Sequence, residues 1–234
     1  MAGLELVFLI LFIVFVVVHL VGEVLIHLEK KSGMIIRYVT KPFLIPLLAT
    51  YYILSIYFTS GIESVNWFIF VGLILGLAGD LLLINRPDPE EQKVLFMLGL
   101  VSFLLGHIFY LVAFVLTITA PYTFTLWTLG ILIPLIIYGV LIGVKILPTA
   151  EEMKIPVFAY IIIIISMGIV ASILFGEIST SGYITLLGGA VLFIISDSIL
   201  AWYRFVKEFP FERLIVMSTY LTAQLLIVLG FVLA

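Results

Sequence analysis

Long apolar stretches alternate with short polar connectors along the whole chain, and this alternation is its dominant signal. A membrane-spanning helix needs roughly 20 mainly apolar residues. Eight stretches approach that length: Gly3–His27, Pro42–Thr59, Val65–Ile84, Val94–Thr117, Phe124–Val144, Ile155–Phe175, Tyr183–Tyr203 and Leu214–Leu233. Each is predicted to be a helix, and the connectors leave no room for a soluble domain. The second and fifth contain proline, which membrane helices tolerate where neighbouring groups satisfy the backbone. The first is too long, and lacks the basic leader, for a cleaved signal peptide. The pattern therefore predicts an all-α membrane protein: an eight-transmembrane-helix bundle forming a single integral-membrane domain over residues 1–234.

Composition sharpens this picture. Hydrophobic residues make up 64% of the chain and charged residues 11%, with a mean hydropathy of +1.37. Soluble domains carry roughly 25% charged residues. No basic tract is present, so nucleic acid is not an expected partner. The absence of cysteine excludes disulfides and thiolate chemistry.

Charge placement predicts the topology. All eleven Lys and Arg residues fall in odd-numbered connectors. The first holds Lys30, Lys31, Arg37 and Lys41; the third Arg86 and Lys93; the fifth Lys145 and Lys154; the seventh Arg204, Lys207 and Arg213. Under the positive-inside rule these connectors face the cytoplasm and both termini lie outside. The membrane would be the cell membrane in a bacterium and an internal membrane in a eukaryote. A faint internal repeat accompanies this plan. Asp80 in "GDLLL" and Asp197 in "SDSIL" are 117 residues apart, as are His107 and Gln224. "TKPF" and "MKIP" open the second and sixth stretches. Two parallel four-helix halves would produce this pattern, and so would chance similarity between apolar helices.

Ionisable residues inside a membrane cost about 2.5–3.5 kcal/mol on insertion scales and point to function by default. Asp80 and Asp197 each lie six residues before a cytoplasmic marker, Arg86 and Tyr203, which places them at similar depth in helices running the same way. If their helices are neighbours, the two carboxyls would share a pocket. One protonated and one ionised carboxyl make a general acid/base pair. The structural alternative is that each hydrogen-bonds a neighbouring helix. Glu23 and His19 sit one turn apart on the first helix; such a pair can relay a proton, bind a metal or satisfy itself. His107 and Tyr110 share a face of the fourth helix, and Tyr220 and Gln224 a face of the eighth. Interhelical hydrogen bonding is the simplest role for each of these alone. The glycine pairs Gly72/Gly76, Gly139/Gly143 and Gly188/Gly189 read as close helix packing. No zinc-protease motif or cysteine is present, and His19 and His27 stand two turns apart, so a metal site has little support. The nucleophile elbow of serine hydrolases is also absent.

Taken together, "TKPFLIPLLA", "GDLLL", "GLVSFLLGHIFYLVAF", "GGAVLFIISDSILAW" and "TYLTAQLLIVLG" resemble the YhhN-like lysoplasmalogenase family of multi-pass membrane hydrolases. The resemblance implies hydrolysis of the vinyl ether bond of a lysophospholipid substrate, to a fatty aldehyde and a glycerophospho-ethanolamine or -choline. It implies Asp80 and Asp197 as the catalytic acids and Lys41, His107 and Tyr110 as substrate-binding positions, with Glu23, Tyr220 and Gln224 added from the residue reading. No cofactor is required for this chemistry. Lys41, Arg86 or Arg204 would hold the phosphate. Two other classes fit the same residues. One is a small transporter or channel using the aspartates as proton or cation sites, and the other a metal-dependent lipid hydrolase. Oligomeric state is left open.

The cysteine-free chain is its own background for a topology test. A Glu63→Cys variant is expected to react with a membrane-impermeant maleimide on intact cells, and a Lys207→Cys variant only after permeabilisation. The reverse labelling would overturn the orientation.

Overall fold

The structure, a computed structural model, describes residues 3–84, 89–119 and 126–234. Among the described residues it is all-α, with eight α-helices: α1 (Leu4–His27), α2 (Lys31–Ser60), α3 (Trp67–Leu82), α4 (Pro89–Thr117), α5 (Leu126–Ile146), α6 (Lys154–Ile173), α7 (Thr180–Phe205) and α8 (Glu212–Val232). Seven are long and apolar enough to cross a membrane, and α3, with 16 residues, is shorter. This corrects the expectation of eight full spans. The third apolar stretch is there, but Asn66 caps its helix late, its Oδ1 accepting from the Phe68 amide at 3.1 Å. The chain is a multi-pass membrane protein in which apolar side chains face outward and polar ones inward. Leu6, Ile10, Val14 and Val17 on α1 are exposed, while His19, Glu23, Arg37, Lys41 and Asp80 are buried.

The chain divides into two compact units, residues 1–109 and 110–234, with the boundary inside α4. In the first unit, α1 and α2 form a tight antiparallel hairpin. Its turn is a Schellman motif: the Glu29 amide donates to Ile26 O and the Lys30 amide to Leu25 O, both at 2.9 Å. The left-handed position belongs to Glu29 (φ 57°) instead of glycine. The two helices touch at Gly33, where a Cβ would lie 2.6 Å from the Ile26 nitrogen and 2.7 Å from Gly22 O. α2 runs through Pro42 and Pro46 without breaking. It begins well before Pro42, so the cationic segment read as a connector is helical from Lys31 onward. Arg37 and Lys41 therefore lie on one buried face of α2, a turn apart. The Tyr52 hydroxyl accepts from the Asn66 amide at 3.1 Å and donates to Asn66 O at 3.2 Å, clamping the start of α3. Ser102 on α4 donates to Leu75 O on α3 at 2.7 Å. These two attachments fix the helix that carries Asp80.

In the second unit, α7 and α8 pack along their length. The contact depends on Gly189 and Gly230: a Cβ on the first would lie 2.9 Å from the Ile227 nitrogen, and on the second 2.6 Å from the Leu186 Cβ. Gly139 also packs closely, 2.9 Å from Ile165 by the same measure, but Gly188 and Gly143 meet nothing nearer than 3.8 Å. Only one member of each of these two pairs is a packing glycine. Ser179 caps α7, accepting from the Gly182 amide at 3.0 Å, and Ser196 ties α7 to Val216 O of α8 at 3.0 Å.

Two substitutions in the α1–α2 hairpin should act in opposite directions. Glu29→Gly relieves a left-handed residue, worth about 1–2 kcal/mol, and should raise the thermal unfolding midpoint in detergent. Gly33→Val drives a side chain into backbone and should lower it. Equal midpoints for the two variants would contradict this account of the hairpin.

Candidate functional site

In the first unit, each buried cation of α2 meets an acid from a different helix. Lys41 Nζ lies 3.4 Å from Asp80 Oδ1. Arg37 grips Glu23 of α1 with two hydrogen bonds, Nε to Oε1 at 2.7 Å and Nη2 to Oε2. Such a fork matches the planar guanidinium to the planar carboxylate. Thr40, between the two cations in sequence, gives its single hydroxyl proton to Ile36 O at 2.7 Å. Its oxygen therefore accepts from His19 Nδ1 at 2.8 Å, which assigns that ring proton. The other ring nitrogen, Nε2, lies 3.4 Å from Glu23 Oε1. His19 and Glu23 are thus brought together as the spacing predicted, and Arg37 joins them. His107 donates Nδ1–H to Phe103 O of its own helix at 2.7 Å.

The second unit handles its acid differently. Asp197, on α7 and only partly buried, accepts a 2.5 Å hydrogen bond at Oδ2 from the Tyr160 hydroxyl of α6. A second group holds Tyr110, Gln224 and Tyr220. Tyr110 donates to Gln224 Oε1 at 2.6 Å, and Gln224 Nε2 donates to the Tyr220 oxygen at 3.3 Å. Phe193 packs edge-on against both tyrosine rings, at 6.3 and 5.5 Å. The i,i+4 pair on α8 is thus hydrogen-bonded within itself and to Tyr110 of α4.

The two aspartates occupy different stations on their helices. Asp80 is two residues from the end of α3, about 3 Å along its axis, and Asp197 is eight residues from the end of α7, about 12 Å. Arg86 lies outside the described residues. Among the described residues no three His, Asp or Glu side chains cluster as a metal would require. Sequence reading missed Arg37, Thr40 and Tyr160. Arg37 and Thr40 were hidden because their segment was taken for a connector. Tyr160 had a legible signal, a lone phenol in "AYIIIII", which needs a hydrogen-bond partner once buried.

Breaking one side of a buried ion pair strands the other charge and costs about 3–5 kcal/mol. Asp80→Asn and Lys41→Met should each lower thermal stability markedly, while the double variant should regain most of the loss. Additive losses in the double would show that the two groups are not coupled.

The chain was compared with known proteins. It is 37% identical to the lysoplasmalogenase TMEM86B of Mus musculus over 167 residues, which is 71% of this chain and 64% of the mouse protein. With the Rattus norvegicus protein of the same name it shares 36% identity over 167 residues, 71% of this chain and 62% of the rat protein. The Homo sapiens protein of that name matches at 31% over 136 residues, covering 58% of this chain and 53% of the human one. The chain therefore spans less than two thirds of the length of these relatives. No solved structure matches it. The YhhN family model matches residues 36–231, from within α2 to the last turn of α8, and the chain belongs to the YhhN family.

Proposed function

We propose that the protein is a membrane hydrolase that cleaves the vinyl ether bond of lysoplasmalogens, releasing a fatty aldehyde and a glycerophospho-ethanolamine or -choline. The observation that carries this reading is the unlike treatment of two intramembrane carboxyls. Asp80 has an ammonium counter-charge beside it, and Asp197 accepts a hydrogen bond from the Tyr160 phenol. Membership of the YhhN family and likeness to relatives named lysoplasmalogenase support it.

The chemistry asks for two such groups. A vinyl ether is hydrolysed by protonation at its β-carbon, which leaves an oxocarbenium ion at the carbon bonded to oxygen. Water adds there and loses a proton. The resulting hemiacetal collapses to aldehyde and alcohol, so one water is consumed and no proton is gained or lost overall. We assign the proton donor to Asp197, which is partly accessible, and the charged role to Asp80. A carboxylate facing a developing cation stabilises it, as in glycoside hydrolysis. Lys41, paired with Asp80, keeps that carboxylate in place within the low-dielectric interior. Tyr110, Tyr220 and Gln224 are assigned to substrate binding, as are His107 and, more remotely, Glu23.

Incubation of the purified protein in detergent with a 1-alkenyl lysophospholipid should release free aldehyde. Asp197→Asn should lower turnover about 10²–10⁴-fold, the usual contribution of a general acid. The Asp80→Asn/Lys41→Met double variant should fold and yet remain inactive. Absence of aldehyde from the wild-type protein would sink the hydrolase reading, and an active double variant would remove Asp80 from the mechanism.

A further inference from the structure

We propose that Tyr160 is a positioning residue for Asp197, aiming the carboxyl and stabilising it as it gives up its proton. This rests on the hydrolase reading above and concerns a residue outside the sequence motifs that support it. Tyr160 is buried on α6 within an otherwise aliphatic run, followed by five isoleucines. Its hydroxyl reaches across to α7 and donates to Asp197 Oδ2 at 2.5 Å. That bond joins the phenol to the proposed acid across two helices.

Two physical effects follow. A carboxyl rotates about its terminal torsion in a broad well, and a hydrogen bond to one oxygen narrows that rotation and fixes the direction in which a proton leaves. When the proton moves to the substrate carbon, negative charge grows on Asp197. The phenol O–H then donates to a developing anion, and charge-assisted bonds are roughly twice as strong as neutral ones. An interaction that strengthens only as the proton departs lowers the barrier more than it tightens substrate binding. A phenol donating to the carboxyl does not compete for its proton as a basic side chain would.

The test compares steady-state kinetics of four proteins on the 1-alkenyl lysophospholipid. Tyr160→Phe is expected to lower kcat about 10- to 100-fold, with KM unchanged. Tyr183→Phe also removes a buried phenol, one that donates to Ser172 O at 3.2 Å, and it should keep the wild-type rate. Asp197→Asn/Tyr160→Phe should be no slower than Asp197→Asn alone. Incorporation of 3-fluorotyrosine at position 160 keeps the shape and makes the phenol a better donor, so it should raise kcat and keeps the test valid should the phenylalanine variant fail to fold. A wild-type kcat in Tyr160→Phe, a loss confined to KM, additive losses in the double variant, or a fluorotyrosine protein with unchanged kcat would each overturn the proposal. Wild-type protein that releases no aldehyde would instead overturn the hydrolase reading, and this proposal with it.

Discussion

A cation buried among membrane helices has to bring its counter-charge with it, and the first unit is organised by that requirement. Arg37 and Lys41 project from one face of α2. Neither can stay there alone, because an unpaired charge in this setting costs several kcal/mol. Each is met by an acid from a neighbouring helix, Glu23 from α1 and Asp80 from α3. The two pairs therefore fix the rotation of α1 and α3 about α2. The close contact at Gly33 and the clamp of Tyr52 on Asn66 set translation along the helix axes. Charge pairing chooses which faces meet, and small residues decide how near they come.

The second unit places its buried polar groups differently. Its buried hydroxyls and amide satisfy one another, as in the bonds from Tyr110 to Gln224 and from Gln224 to Tyr220. Asp197 is held through the Tyr160 hydroxyl. A carboxyl held by an ammonium and one held by a phenol are different reagents, although both were simply acids in apolar helices when read from the chain. That difference is what makes a division of labour between donor and charge stabiliser chemically reasonable.

Much of this architecture was legible in the sequence. Hydropathy located all eight helices, since each buries or exposes a long apolar run. It failed where charge and helix coincide. The start of α2 carries Lys31, Arg37 and Lys41, so an apolar window excludes it, and the acids of other helices explain why Arg37 and Lys41 are buried there. The pairing of Asp80 with Lys41 was out of reach for the same reason: nothing local links residues on separate helices. Local spacing did reveal His19 with Glu23 and Tyr220 with Gln224, because one turn of helix brings such residues together. Tyr160 shows a third case. Its polarity was visible, but its partner depended on the packing of α6 against α7, which a single chain does not encode in any local pattern.

The shortness of α3 matters beyond its own packing. Its 16 residues extend about 24 Å, against a hydrocarbon core of about 30 Å. Lipid beside such a helix adapts to the mismatch by thinning, at a cost of fractions of a kcal/mol per Å. Asp80 stands in the last turn of this helix. A locally thinned leaflet brings the headgroup plane, and the water it carries, towards the end of α3 that bears the Lys41–Asp80 pair.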